Sequence, residues 1–201
     1  GFADTQISAL TTTQLAALNT SQIAALSSGA VSGLNTTEIA ALTTAQVKAL
    51  TAADVGYLST TQLQSLSTTQ LSVLTTTQLA GLSGDGVGAL STTQVAVLDR
   101  SQLAALSSGA IGGLTSTQLS VLTTSQLAGL TATQVGALTT TQLTGLSTTA
   151  LSGLTTTQVA GLLATGMGAL TDAQVSSLKS TQVTALTLTA LVALAGCGAR
   201  K

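Results

Sequence analysis

Hydrophobic residues recur along this chain at a fixed spacing: leucine stands at 10, 18, 26, 34 and every eighth residue to 194 without a miss. Three residues before each of them stands another aliphatic side chain, Ile7, Leu15, Ile23, Val31 and so on through Met167 and Leu191. Residues 3–194 thus read as 24 consecutive octads with the consensus Ser/Thr-Thr-Thr-Gln-Leu/Ile/Val-Ala-Ala/Gly-Leu. A fixed short period of this kind signals a solenoid, in which each unit buries its apolar face only against its neighbours.

Neither regular element accommodates the octad unbroken. On one long helix eight residues advance about 800°, so the leucines would walk around the axis by about 80° per unit and form no stripe. On a strand the spacings from Leu10 to Leu15 and from Leu15 to Leu18 are both odd, which puts successive apolar residues on opposite faces. Each unit must therefore bend. The first position decides how: it is Ser, Thr, Asn or Asp in all units except those opening with Ala3, Leu163 and Lys179. These four residue types share the ability to cap a helix N-terminus and do not share strand propensity.

Three residues later comes Gln in 16 units and Glu38 in one more, which completes a capping box. The Leu before the cap and the fifth-position aliphatic, as in Leu18 and Ile23 around Asn19, fit the two sites of a hydrophobic staple. The pattern predicts an all-α solenoid of helices of about six residues, too short to stand alone and stabilised by stacking. With two octads per coil it would be a rod of about 100 Å. The alternative is a β-solenoid with outward threonine ladders.

A longer period overlies the octad. Residues 19–58 match 99–138 unit for unit, and the unit SSGAVSGL at 27–34 returns as SSGAIGGL at 107–114. A block of ten octads, 19–98, is duplicated as 99–178 with no linker composition between the copies. The expectation is one continuous repeat domain over 1–201, with a short tail at 195–201.

Composition narrows function. Charged residues make up 5% and aromatics 1%, and there is no His, Trp or Pro. Five basic and six acidic residues form no patch able to neutralise several phosphates, so nucleic-acid binding is not expected. No run of about 18 apolar residues exists for a membrane span. Serine and threonine are plentiful as nucleophiles, but no His exists to activate them. Catalytic, cofactor-binding and metal-ligating residues are therefore expected to be none.

The exceptions to consensus are the remaining candidates. Gly84 or Gly109, in units without Gln, could admit another backbone or could kink the coil; the kink is the expected role. Asp85 between glycines is a lone carboxylate and a poor calcium ligand. Tyr57 is a candidate lateral contact. Asn19 and Asn35 match the glycosylation acceptor pattern but already have a capping role. Leu194-Ala195-Gly196-Cys197 looks like a lipobox in the wrong place, near the C-terminus, and reads instead as a final repeat followed by a Gly-rich tail. Lys48, Arg100 and Lys179 read as solvating substitutions.

Units such as STTQLQSL, TTTQLAGL and STTQVAVL resemble the octapeptide arrays of large secreted or surface proteins of proteobacteria, often labelled adhesin-like. The resemblance covers residues 3–194 and implies an extracellular structural or adhesive role without catalytic residues. The expected function is a structural array, a stalk or a self-associating filament or sheath subunit, whose nearly uncharged surface offers little repulsion between copies. The alternative is a Ser/Thr surface that binds ice or a cell-surface polysaccharide.

Overall fold

The computed structural model describes residues 7 and 9–198. Among them are 23 helices and no strand, so the chain is an all-α solenoid and the β alternative falls. Every helix is four to six residues long except the last, Leu188–Gly198. The threonine runs open helices because the first hydroxyl is engaged at the helix start. At Asn19, Oδ1 accepts from the Gln22 N–H at 2.9 Å while the Asn19 N–H donates to Gln22 Oε1 at 2.8 Å. Thr51 and Asp54 make the same reciprocal pair, which a search for Gln or Glu alone passes over. The side chains of Leu163 and Lys179 contribute no cap bond, as their chemistry dictates, and Ala3 lies outside the described residues.

The turns need no glycine. The helix Thr44–Ala49 ends at Leu50 with φ −60° and ψ 143°, and the next cap, Thr51, has φ −75° and ψ 165°. Two successive extended residues re-aim the chain, and among the described residues no φ is positive.

These turns close a wider coil than the two units expected. The helix Thr12–Ala16 packs against Thr36–Ala41, and Ala132–Gly136 against Thr156–Ala160, each pair three units apart. Side-chain bonds reach four units, as from Gln46 to Leu15 and Leu18. A coil therefore holds between three and four octads. The 24 units make roughly six to eight coils, and at 8–10 Å per helix layer the rod is roughly 50–80 Å long, shorter than the 100 Å expected. Hydrophobic spacing fixes which residues face inward, but the bend per unit is set by the backbone angles of the turn.

Inside the coil the fifth-position residues from Ile7 to Met167 are at most 1% exposed, and the eighth-position leucines from Leu34 to Leu170 at most 7%. Each such side chain contributes about 1.5–3 kcal/mol on burial, and that term recovers the helix nucleation cost.

The fourth-position Gln lies beside this core and is used twice. Gln94 Oε1 accepts from the N–H of its own cap, Ser91, at 2.8 Å. Its Nε2 donates to the carbonyls of Leu63 at 3.0 Å and Leu66 at 2.7 Å, in the unit four places earlier. The carbonyl of Leu63 already accepts from the Leu66 N–H at 3.3 Å. A short helix leaves its last carbonyl, here that of Leu66, without a backbone partner, and the Gln amide supplies that bond while adding a second to Leu63. The arrangement recurs from Gln46 to Gln182 wherever Gln is present, except that Gln126 donates to the sixth-position carbonyl of Ala96 together with that of Leu98. It also crosses between the two copies of the ten-octad block, where Gln102 donates to Leu71 at 3.3 Å and Leu74 at 2.8 Å.

Units lacking Gln meet one another three places apart, as 83–90 and 107–114 do. A Cβ on Gly88 would lie 2.6 Å from the Gly113 carbonyl oxygen, and one on Gly113 would collide with the Gly84 carbonyl. Here glycine permits backbone-to-backbone packing, as it also does between Gly136 and Gly161 in units that carry Gln. The residue expected to kink the coil instead brings two of its layers together.

Two predictions follow from this packing. Gln102→Ala strands the Asp99 N–H and the carbonyl of Leu74, leaves Leu71 with its bond from the Leu74 N–H alone, and should cost about 2–4 kcal/mol in urea unfolding. Gln14→Ala, which loses only exposed cap bonds, should cost less than about 1 kcal/mol. Gly113→Ala should destabilise by about 1–3 kcal/mol through overpacking. Gly109→Ala, where the nearest atom to an added Cβ is Ser107 Oγ at 3.9 Å, should be neutral or stabilise by up to about 1 kcal/mol through helix propensity.

Candidate functional site

Positions one to three of each octad face outward and carry the hydroxyls, as at Thr75, Thr76 and Thr77 or Thr155, Thr156 and Thr157. The first hydroxyl of each set accepts the cap bond, and the second and third remain exposed. Because each unit turns by between a quarter and a third of a revolution, these hydroxyls wind around the rod and gather on no single flat face.

The charged residues do not converge. Among the described residues no three of His, Cys, Asp and Glu come close enough to hold a metal ion. Asp85 is exposed in the first turn of the helix Gly84–Ala89. Asp54 is buried, and its Oδ1 accepts from Ser28 Oγ at 3.0 Å while Oδ2 accepts from the Thr51 N–H at 2.8 Å. Its buried oxygens are thus absorbed by structure. Lys48 and Lys179 are exposed. Arg100 does more than solvate: Nη2 donates to the Ala128 carbonyl at 3.2 Å, three units on, and the missing side chain of Gly129 makes room for its stem.

Tyr57 stands 67% exposed at the end of the helix Ala52–Tyr57. Asn19 and Asn35 both cap helices, Asn35 through Oδ1 to the Glu38 N–H at 3.0 Å. At the C-terminal end the chain does not turn after Leu194, since the last helix runs on to Gly198. Ala195 falls where a capping residue would open the next unit, and without one the helix continues. The Gly-rich stretch read as a tail is therefore helical as far as Gly198, and the Cys197 side chain lies outside the described ones.

The two ends of the coil differ from its middle and from each other. At the N-terminal end the fifth-position residues Leu15 and Ile23 stay covered, while the eighth-position leucines Leu10, Leu18 and Leu26 are half-buried. Gln14 and Gln22 are exposed there, and each caps its own helix through Oε1 with no acceptor for Nε2 among the described residues. At the C-terminal end the eighth-position Leu178 and Leu194 are half-buried too, and the fifth positions lose their cover as well. The fifth-position Val175 and Val183 are half-buried and Leu191 is 37% exposed. An apolar groove of about 420 Å³ opens between the helices Ala164–Met167 and Leu188–Gly198, lined by Ala164, Leu188, Thr189, Val192 and Ala193. Among the described residues no helix is long and apolar enough to cross a membrane.

Octad reasoning assigned Gln to capping alone and missed its donation to the unit four places back. The signal was present in the composition of the fourth position. Capping accepts Glu as readily as Gln, yet Gln outnumbers Glu there by 16 to one. That bias marks a need for a donor.

No curated protein matches the chain. The family model of the ALTTAQ repeat matches residues 20–52, 52–84 and 95–132, just over half of its length, with units of the kind described above in each stretch. The chain belongs to the ALTTAQ repeat family.

Proposed function

We propose that the protein is a non-enzymatic structural array, a stalk or a self-associating filament or sheath subunit at the surface of or outside a bacterial cell. The observation that carries this reading is the double use of Gln. The polar groups in the interior are consumed in joining one coil to the next, and what remains outside is a coat of small hydroxyls with isolated charges. Such a chain converts a repeated short sequence into length, and its low charge offers little resistance to contact between copies. The resemblance of its octads to adhesin-like arrays supports a role outside the cell.

A second reading, binding of a cell-surface polysaccharide or of ice, draws on the exposed second and third hydroxyls. The winding of those hydroxyls around the rod works against it, because a crystalline or extended ligand needs them in one plane.

The test is direct. Analytical ultracentrifugation of the 201-residue chain under reducing conditions, from micromolar to millimolar, should show a mass that rises with concentration, and electron microscopy should show rods longer than one molecule. A monomer throughout, with no rods, would remove the self-association reading. Retention on immobilised polysaccharides or thermal hysteresis would instead promote the second reading; neither is expected.

A further inference from the structure

We propose that copies of this chain pack side by side along one apolar, uncharged edge of the rod, formed by every third octad from 67 to 170. The proposal rests on the self-association reading above and specifies its interface.

The edge follows from which units stack. The helices Thr68–Ser72, Thr92–Ala96, Ser116–Ser120, Thr140–Thr144 and Ala164–Met167 each pack against the next, three units on, so their octads form one file along the rod. Valine occupies the seventh octad position three times in the sequence, at 73, 97 and 121, and all three lie in this file, one per layer. The one large aliphatic residue at a first position, Leu163, lies in it too. Over the same span the seventh position in the other two files is always Ala or Gly. Before the last unit, the large apolar side chains exposed among the described residues are Val97 at 38%, Val121 at 40%, Leu163 at 61% and Tyr57, and only Tyr57 stands outside the file.

Duplication does not account for this alignment. The ten-octad block copies each residue 80 positions away, and ten is not a multiple of three, so a copied residue lands in another file. The counterparts of Val73, Val97 and Val121 are Gly153, Ser177 and Ala41, and that of Leu163 is Ser83. The valines keep the spacing of the layers and not that of the block.

Charge is arranged around the same edge. Between 67 and 170 the charged residues are Asp85, Asp99 and Arg100, none of them in the file. Such an edge meets its own copy without stranding a charge, and the copy presents apolar side chains at the same layer spacing. Five layers of about 8–10 Å and a helix width of about 10–12 Å make an edge of roughly 400–600 Å² on each copy. Two such edges together approach the lower bound of specific interfaces, about 1,200 Å², which fits a weak association that grows with concentration. Because a coil holds more than three units, the file drifts around the rod, and paired rods wrap about each other as helices with a drifting apolar stripe do. A copy shifted by whole layers still sets valine against apolar side chains, so staggered pairs extend the assembly beyond one molecule.

The test uses Val97→Lys/Val121→Lys in the full chain. Thr133→Lys/Thr157→Lys, at exposed positions in a neighbouring file, carries the same added charge as a control. Val97→Ser/Val121→Ser removes apolar surface without adding charge. Circular dichroism establishes that the variants remain helical, and ultracentrifugation under reducing conditions measures association. The lysine edge-variant should associate at least tenfold more weakly than the wild type, the serine variant should shift in the same direction, and the control should match the wild type. If the wild type associates and both edge-variants do so equally well, the edge is overturned while self-association stands. Equal weakening of the control also overturns it, since the contact then has no preferred side. A wild type that stays monomeric overturns the edge contact together with the reading on which it rests. If that monomer cosediments with phosphatidylcholine vesicles and the edge-variants do not, the edge belongs to a lipid surface instead of a second copy.

Discussion

The fold depends on the fourth-position glutamine. A helix of four to six residues has nearly as many unpaired backbone groups as paired ones, because each terminus leaves its own set without partners. Stacking leucines can recover nucleation energy, but they cannot satisfy carbonyls turned toward a core. One side chain meets both needs: its oxygen closes the start of its own helix, and its nitrogen closes the end of a helix four units earlier. Remove that nitrogen and the eighth-position carbonyl, which has no backbone partner, is left beside apolar side chains at a cost larger than the net gain of an ordinary hydrogen bond. The fifth-position carbonyl keeps the N–H of its own unit.

The same bond explains the dimensions of the coil. Apolar contact joins units three apart and the Gln bond joins units four apart, so the number of units per coil is held between the two. The rod is in this respect an enlarged version of an α-helix, with octads in the place of residues. Other contacts join layers beside the Gln bond. Glycines at 84, 88 and 113 let two layers touch through their backbones, and Asp54 substitutes a shorter cap and a bond to Ser28. These exceptions change the means of joining layers and leave the leucine core continuous.

Much of this was legible in the sequence, because local chemistry decides it. Asn19, Asn35 and Asp99 identified the first position as a helix cap, and the odd spacing of Leu10, Leu15 and Leu18 required a bend. The inward set of fifth and eighth positions was legible for the same reason. The number of units per coil was not, since it follows from turn angles at residues such as Leu50 and Thr51 that many side chains allow. The reach of Arg100 to Ala128 and the meeting of Gly84 with Gly113 depend on that number and were hidden with it. The second role of Gln stood in the sequence as a preference over Glu, unexplained by capping. The sequence also showed that no constellation of reactive side chains was to be expected, a matter that activity measurements address.

Hydrogen exchange of the Gln side-chain amides, followed by nuclear magnetic resonance, tests the central claim most directly. The Nε2 protons of Gln46, Gln62, Gln70, Gln94, Gln118, Gln134, Gln142 and Gln158 should be strongly protected, because each amide is buried and donates to carbonyls four units away. Those of Gln14 and Gln22 should exchange in the dilute monomer at the rate of free glutamine. Equal and rapid exchange at all of these positions would contradict the account, leaving Gln as a helix cap and the stacking of coils to leucine alone.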